Sequence, residues 1–411
     1  MRKVLIVESP AKGKKIQSFF KDGTICIASY GHIRDLDPKC MSIDVDRDFT
    51  PCYKISEGKS KICKTIQDYA RNCEIILAAD DDREGDAIAW HCGQIANLDF
   101  TKHNRIIFHE ISPSAIKKSL QDIHSLNMNS VNAQQARRII DRLVGYSLSP
   151  LLWKHIQTNV KGLSAGRVQS TLLSILKDHE DAISEFKGQV KPSCQGTFKF
   201  KQGEISGNSK GTFHPTSSYD PEELLQTFSK DRVFKISQQT STIEKQHPPR
   251  PLITSSLQQS SQKELRFSIK KTMDIAQKLY ETGKITYMRT DSQNVSSDFQ
   301  KQLCGHIKDT WSSEYYQSPV SGKKVKGAQE AHECIRVTHL DDRLHERYTE
   351  DDKKLYELIK RYTITSHMKP SLHDVLKLHL MTGETRDYGE FIICHKTLQY
   401  KGFLIYYDGT E

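Results

Sequence analysis

The sequence has no long apolar run and no paired-cysteine motif. A membrane span needs about 18 consecutive apolar residues, and no stretch of the 411 residues approaches that length. Residues 1–10 carry charge around too short an apolar stretch for a secretory signal peptide. The ten cysteines never occur as Cys-x-x-Cys, so neither a zinc ribbon nor a redox dithiol is indicated. We therefore expect an intracellular protein with no membrane partner and with reduced, mostly structural thiols.

Internal repeats and low-complexity tracts are also absent from the sequence. The 22 glycines, 13 prolines and 36% hydrophobic content exclude a collagen-like or wholly disordered polymer. The length instead predicts roughly two to four domains with buried cores. Lysine and arginine total 60 against 51 aspartates and glutamates, a formal net charge of +9. This balance fits a polyanionic partner without identifying one.

Two short apolar runs, residues 4–7 and 75–79, predict buried strands of a parallel sheet. Each run ends in an acidic residue, Glu8 in the first case and Asp80 in the second. Because functional sites in such sheets form outside the carboxyl ends of the strands, we expect these two side chains to meet. Helices are predicted after each strand, over residues 11–20 and 86–96.

Further along the chain, apolar positions recur at helical spacing over residues 131–145, and two arginines share another face of that helix. Beyond about residue 187, short pieces punctuated by glycine and serine predict antiparallel strands of a new domain. Residues 254–256 offer N-caps for a mainly helical region that extends to about residue 361. Its apolar stripe is predicted to comprise Leu265, Ile269, Met273, Ala276 and Tyr280. Strand-like alternation over residues 373–407 predicts that the tail completes the earlier β layer.

Residues 80–86 are the first group that could carry chemistry. Asp80 and Asp82 alternate by two and can project the same way from a strand end, and Glu84 adds a third carboxylate. Carboxylate oxygens are hard ligands suited to Mg²⁺ rather than to zinc or copper. A run of charge is usually a solvated loop, but the strand before it and the helix after it favour a metal site.

Two other segments pair an acid or a phenol with a cation. In residues 8–12, Glu8 is a carboxylate whose acidic neighbours raise its pKa, so it can donate a proton, and Lys12 can hold a phosphate. In residues 283–292, the Tyr287 hydroxyl can attack a phosphodiester and Arg289 can offset the phosphate charge. The competing interpretations are an ordinary polar loop for the first segment and a packing tyrosine for the second.

Taken together, five motifs in this order resemble the type IA DNA topoisomerases, the bacterial topoisomerase I group in particular. The resemblance extends from residue 1 to about residue 373, and residues 254–280 and 331–336 also match. The motifs span residues 8–12, 80–91, 132–138, 163–170 and 285–292.

The resemblance implies a multidomain fold of class α/β plus α+β. Residues 1–125 would form a Toprim domain, a parallel sheet with helices, in which residues 34–60 are an insertion contributing to the DNA-binding domain. Residues 126–188 would form a helical domain that binds single-stranded DNA. Residues 253–367 would form the helical domain that carries Tyr287, and residues 189–252 and 368–411 an incomplete, β-rich gate arch.

The resemblance also implies a chemistry, namely transient cleavage of one DNA strand that needs Mg²⁺ but no ATP. The tyrosine would form a 5′-phosphotyrosine, another strand would pass through the gap, and religation would leave negative supercoils relaxed. The implied site residues are Tyr287 as nucleophile, Glu8 as the acid for the departing 3′ hydroxyl, Lys12 and Arg289 on the phosphate, His332 near it, and Asp80, Asp82 and Glu84 as the Mg²⁺ group.

A further set of polar residues is implied to bind DNA. Its arginines would line the single-strand path or brace the acidic cluster, while two uncharged members would contact the backbone without reading sequence. Competing interpretations are a helix-surface ion pair between Arg137 and Asp141 and a structural role for His332. The set comprises Arg105, Arg137, Arg138, Asp141, Arg142, Arg167, Gln169 and Ser170.

One departure from the family remains, because family members continue well past the equivalent of residue 411. The alternative hypothesis is therefore a truncated or split topoisomerase that binds single-stranded DNA but needs a complementary C-terminal polypeptide for activity. Another Toprim enzyme, such as a nuclease or primase, ranks last because it has no reason to retain the segment around Tyr287. We expect a monomer that is cytoplasmic or nucleoid-associated.

Overall fold

The computed structural model describes residues 2–157, 162–188, 193–202, 205–215, 220–230, 233–318, 333–381 and 389–409. The chain divides into two compact units, each assembled from three separate segments. Unit 1 comprises Met1–Phe186, Leu252–Val295 and Gly322–Lys360, and unit 2 comprises Lys187–Pro251, Ser296–Ser321 and Arg361–Glu411. The finer division into four domains stays a prediction.

The N-terminal part of unit 1 contains a small parallel sheet, two short antiparallel strand pairs and several helices. Its elements are β1 Arg2–Val7, α1 Pro10–Gln17, β2 Ile25–Ala28, β3 Arg34–Leu36, β4 Ile43–Asp44, β5 Thr50–Pro51, β6 Tyr53–Ile55, α2 Ser60–Ala70, β7 Cys73–Leu77, α3 Arg83–Ile95, α4 Pro113–Ser119, α5 Met128–His155 and α6 Arg167–Glu185.

The parallel sheet has the order β2-β1-β7, which confirms the two strands predicted from their apolar runs. In β1, residues 4–7 are all buried, as expected for a central strand covered on both faces. Each strand end leads into a capped helix. Ser9 accepts from the Lys12 backbone N–H at the start of α1, and Asp82 Oδ1 accepts from the Gly85 N–H, 2.7 Å away, at the start of α3. The capping places the acidic residues at the edge where the strands end.

The rest of the chain alternates between the two units. Its elements are β8 Gln195–Gln202, β9 Ile205–Pro215, α7 Pro221–Lys230, β10 Lys235–Gln246, α8 Thr254–Ser260, a π-helical turn Ser261–Leu265, α9 Ile269–Glu281, α10 Ser297–Thr310, a 3₁₀ turn Ser313–Tyr315, α11 Glu350–Thr365, β11 Ser371–Met381, β12 Gly389–Tyr400 and a 3₁₀ segment Gly402–Gly409.

Unit 2 contains an antiparallel sheet of order β10-β11-β12-β9-β8. Strands β11 and β12 lie between β10 and β9, so the tail completes the earlier β layer as predicted. A cluster of aromatic side chains holds one face together, with Phe391 packed 5.2 Å from Phe213 and 5.1 Å from Phe198, measured between ring centroids.

The apolar stripe predicted over residues 265–280 does not lie on one continuous helix. After the π-helical turn, Arg266 adopts a left-handed conformation with φ of 60°, and α9 restarts behind an N-cap at Ser268. The restart changes the phase of the helix, so Ile269, predicted in the apolar stripe, is 55% exposed. Of the predicted stripe, Ala276 and Tyr280 are buried. The buried face of α9 also includes Thr272, Ile275 and Leu279.

The helical segment predicted over residues 131–145 lies inside the longer helix α5. Helix α6, which follows it, buries none of its 19 residues. Across the described ranges, no helix combines the length and apolar character that a bilayer crossing requires.

Candidate active site

Glu8 and Asp80 meet at the carboxyl ends of β1 and β7, as the sequence predicted. The Asp80 backbone N–H donates to Glu8 Oε1 over 2.8 Å. Lys12 projects from α1 into the same place, where its Nζ lies 2.5 Å from Asp80 Oδ2 and 3.8 Å from Glu8 Oε2. Lys12 is only 1% exposed. In this arrangement it neutralises the buried acids, and to contact a phosphate in solvent its Nζ would have to leave Asp80.

The surroundings of Glu8 favour its protonated form. Burial raises the pKa of Glu8 to about 7, the nearby charge of Asp80 adds to the effect, and Lys12 opposes it. A carboxyl group with a pKa near neutrality is suited to general acid and base catalysis at neutral pH.

Arg105 forms the floor beneath the acidic residues. Its guanidinium donates to the backbone carbonyl oxygens of Ala79, Asp80 and Ile106 at 2.6–2.7 Å and lies 3.3 Å from Asp86 Oδ1. The side chain is 1% exposed. Of the two roles that the sequence left open, bracing the acidic cluster agrees with this position. Lining the DNA path does not, because the guanidinium is buried and its donors already bind protein.

Tyr287 lies on a loop after α9 that packs against residues 109–111. Gly283 has φ of +72°, and a Cβ at that position would lie 2.5 Å from the Ile111 carbonyl oxygen, so the approach requires glycine. The Tyr287 backbone N–H then donates to the His109 carbonyl oxygen over 2.9 Å. As a result, the Tyr287 hydroxyl reaches the acidic cluster and donates to Asp82 Oδ2.

The environment of Tyr287 keeps its phenol protonated. Burial is the largest effect that raises its pKa, followed by the charges of Asp80 and Asp82, and Arg289 opposes them. A neutral phenol is a weak nucleophile, so attack on phosphorus requires a group that takes the proton. Asp82 already accepts a hydrogen bond from that hydroxyl.

Tyr280, predicted from the sequence only as part of an apolar stripe, is also a site residue. It is fully buried, its hydroxyl donates to Asp80 Oδ1 over 2.9 Å, and its ring packs edge-on against the Tyr287 ring at 5.2 Å. The Lys12 ammonium lies 5.1 Å from the centre of the same ring. The hydroxyl of a buried tyrosine needs a hydrogen-bond partner, and this requirement is the one sequence signal that could have pointed to Tyr280.

The acidic residues have the donor type for a hard divalent cation, but they do not converge into a coordination shell. Asp80 binds Lys12 and Tyr280, and Asp82 binds Tyr287 and the α3 N-terminus. The third carboxylate, Glu84, lies 3.1 Å from His32 Nε2 and accepts from Gln134 over 3.2 Å. Among the residues that the structure describes, no group of three or more His, Cys, Asp or Glu side chains is arranged to hold a metal ion.

A cleft of about 780 Å³ opens beside Asp82. Arg289 stands at its wall, 58% exposed, with Nη1 3.8 Å from Asp82 Oδ2. Arg137 lines the same cleft from α5. The other lining residues are Arg83, Glu84, Gln134, Ile253, Thr254, Ser255, Gln258, Thr290 and Asp291.

The other α5 arginines bind β3 and the loop that follows it. Arg138 forms a bidentate pair with Asp35 at 2.6 and 3.1 Å. Arg142 donates to the backbone carbonyl oxygens of Asp37 and Cys40 at 2.8 and 3.0 Å. Both side chains therefore attach residues 35–40 to α5.

The competing interpretation, a helix-surface ion pair between Arg137 and Asp141, is not what the structure shows. Asp141 instead receives a bidentate pair from Arg167 at 3.0 and 3.1 Å, because Arg167 begins α6 next to α5 and its planar fork matches the carboxylate. Gln169 and Ser170 are exposed on the first turn of α6. His332 lies outside the described residues.

Comparison with known proteins assigns the chain to a family. A family model described as DNA topoisomerase matches residues 125–411, and a Toprim domain model matches residues 3–111. The chain therefore belongs to the DNA topoisomerase family and is a type IA enzyme, with the predicted multidomain α/β plus α+β fold. The solved structure of full-length topoisomerase I from Thermotoga maritima superposes with a TM-score of 0.84 at 34% identity, covering 98% of this chain and 67% of that one.

Proposed function

We propose that the protein cleaves one DNA strand transiently through Tyr287, passes another strand and religates the first, thereby relaxing negative supercoils. The observation that carries this proposal is the buried Tyr287 hydroxyl, which donates to Asp82 within a cluster that also contains Glu8 and Lys12. A nucleophile, a proton acceptor and a proton donor are thus gathered at one place.

In the proposed cleavage step, the Tyr287 oxygen bonds to phosphorus as the bond from phosphorus to the 3′ oxygen breaks. The phenolic proton passes to Asp82, and Glu8 gives a proton to the departing 3′ oxygen. The product is a 5′-phosphotyrosine and a free 3′ hydroxyl. Religation is the reverse, with Glu8 accepting the proton. Because one phosphoester replaces another of similar energy, no ATP is consumed.

Positive charge near the phosphate comes from Arg289, which is exposed at the cleft wall. The Mg²⁺ proposed to bind at Asp80, Asp82 and Glu84 would add a Lewis acid that stabilises charge on the phosphate oxygens. Their carboxylate oxygens fit such an ion chemically, and binding requires that some exchange their present protein partners for it. Protonation of Asp82 by Tyr287 and donation by Glu8 are functions of the protein side chains alone.

The cleft of about 780 Å³ is the proposed path for single-stranded DNA. Arg137 and Arg289 lie on its wall and would contact the backbone phosphates, which carry affinity without sequence information. The net charge of +9 favours the same partner. Binding is therefore expected to weaken steeply with salt.

The test is to trap the covalent intermediate on a 3′-labelled single-stranded oligonucleotide in the presence of Mg²⁺. The wild type should yield protein attached to the 5′ end of the downstream fragment, and Tyr287→Phe should yield none. Tyr69→Phe, a tyrosine of α2 packed against the sheet core, is the matched control and should behave as wild type. An adduct of equal yield in Tyr287→Phe would remove Tyr287 as nucleophile.

A second candidate function has support from one observation, the apolar surface of α6. That helix buries no residue, and Val168, Leu172, Leu173 and Ile175 are each more than half exposed. Such a surface is typical of one that another polypeptide covers. We therefore retain the alternative that the chain binds single strands but relaxes plasmid only with a complementary polypeptide. Relaxation of supercoiled plasmid by the purified chain alone would exclude this alternative.

A further inference from the structure

Strand passage requires the segment that carries Tyr287 to separate from the segment over residues 109–112. A cleft of about 780 Å³ can hold a few nucleotides but cannot pass a second strand. The contacts that join these segments must therefore break and form again in each catalytic cycle. The following inference rests on the proposed function and concerns contacts that contain none of the reacting atoms.

The two segments are joined by a closed circuit of hydrogen bonds. The Tyr287 N–H donates to the His109 carbonyl oxygen, as described above. Next to it, the Thr286 N–H donates to the Arg336 carbonyl oxygen over 2.9 Å, and the Arg336 N–H donates to Thr286 Oγ1 over 2.9 Å. The backbone at Arg336 therefore fixes the residue immediately before the nucleophile.

The Arg336 side chain closes this circuit. It is 3% exposed, and its guanidinium reaches Glu110 Oε2 at 3.1 Å and Glu333 Oε2 at 2.7 Å. Glu110 directly follows His109, and its other oxygen accepts from Ser112 Oγ over 2.7 Å. Ser112 in turn caps α4. Glu110 is thus held in position by its own segment, where it can accept hydrogen bonds from Arg336.

We propose that Arg336 and Glu110 form a clasp that positions Tyr287 against the acidic cluster and re-forms whenever the two segments close. Both are positioning residues, since neither touches the phosphate or the nucleophilic oxygen. The buried, charge-assisted contact stabilises the closed arrangement in which cleavage occurs. Loss of the clasp lowers the fraction of closed enzyme and hence the cleavage rate, while the cleft that binds DNA is unchanged.

The experiment separates DNA binding from cleavage. Glu110→Gln keeps the side-chain size but removes the charge, and Arg336→Lys keeps the charge but removes the planar fork. For each variant and for the double variant, the Kd for a single-stranded oligonucleotide is measured together with the rate of covalent complex formation at saturating oligonucleotide. Glu74→Gln, a partly exposed glutamate of β7 outside the site, is the matched control. Thermal unfolding reports whether each variant is folded.

We expect Glu110→Gln to lower the rate at saturation by about tenfold, the order expected when one charge-assisted hydrogen bond is weakened, with Kd within about twofold of wild type. The double variant should be no slower than the slower single variant, because both changes remove the same contact. Rates within twofold of wild type, losses that multiply in the double variant, or a loss found only in Kd would overturn the clasp. If wild type itself forms no adduct, the proposed function fails instead.

Discussion

Tyr280 allows a direct test of how much one hydrogen bond to the acidic cluster contributes to stability. Replacing it with phenylalanine removes the hydroxyl that donates to Asp80 Oδ1 and keeps the ring that packs on Tyr287. Asp80 is 5% exposed, so water does not readily replace the lost donor. The change therefore isolates one hydrogen bond to a buried carboxylate.

The expected cost of Tyr280→Phe is about 2 kcal/mol of unfolding free energy, since hydrogen bonds to charged groups are worth about 1.5–3 kcal/mol. At about 2–4 °C per kcal/mol for a domain of this size, the thermal midpoint should fall by about 4–8 °C. Differential scanning calorimetry or circular dichroism at fixed pH and salt measures this shift.

Tyr356→Phe is the matched control for Tyr280→Phe, because Tyr356 is equally buried. Its hydroxyl lies 3.4–3.5 Å from the carbonyl oxygens of His339 and Asp342, which makes weak contacts at best. We expect a loss below about 1 kcal/mol. Equal losses for the two variants, or a smaller loss for Tyr280→Phe, would refute the argument that Asp80 depends on this donor.

Three further predictions follow. Arg105→Lys should cost about 3 kcal/mol, because one ammonium nitrogen cannot replace the spread guanidinium nitrogens that contact Ala79, Asp80, Asp86 and Ile106. This variant should leave the salt dependence of DNA binding unchanged, whereas Arg137→Ala should reduce the salt slope by about 1. Equal salt slopes for the two variants would contradict their assigned places. Burial opposes a low pKa for Asp342, but the hydrogen bond from Lys284 lowers the pKa of that carboxyl in the folded protein. The contribution of ionised Asp342 to folding stability is therefore complete above its unfolded pKa of about 3.9 and is lost as pH falls through the lower folded pKa. Asp342→Asn should therefore flatten the acid limb of a stability curve below about pH 4, and an unaltered limb would assign that limb to other groups. EDTA should abolish covalent complex formation and added Mg²⁺ should restore it, so an adduct that persists in EDTA would argue against the metal.

The part of the site that follows strand ends could be predicted from the sequence. Apolar runs that stop at an acid place Glu8 and Asp80 together, because the ends of neighbouring parallel strands must coincide. The resemblance then directed attention to Tyr287, which the structure brings to the same cluster. These predictions rest on local patterns whose spatial consequence is fixed by the geometry of a sheet.

Contacts that depend on loop conformation could not be predicted from the sequence. Nothing near Glu110 indicates an arginine 226 positions away, since their meeting depends on how two loops pack. The interruption of the helix at Arg266 also could not be predicted, because no glycine or proline lies near it. Asp141 shows the limit of helical spacing rules, because it pairs with Arg167 of another helix and not with Arg137 one turn away.

The position of Arg105 has a consequence for how the enzyme can use a dissociable ion. The backbone at Ala79 and Asp80 is anchored by a cation that belongs to the polypeptide itself, so the turn keeps its shape whether or not a divalent ion is present. The divalent ion proposed for this site would therefore have no structural role, and its entry and departure would not require the turn to refold.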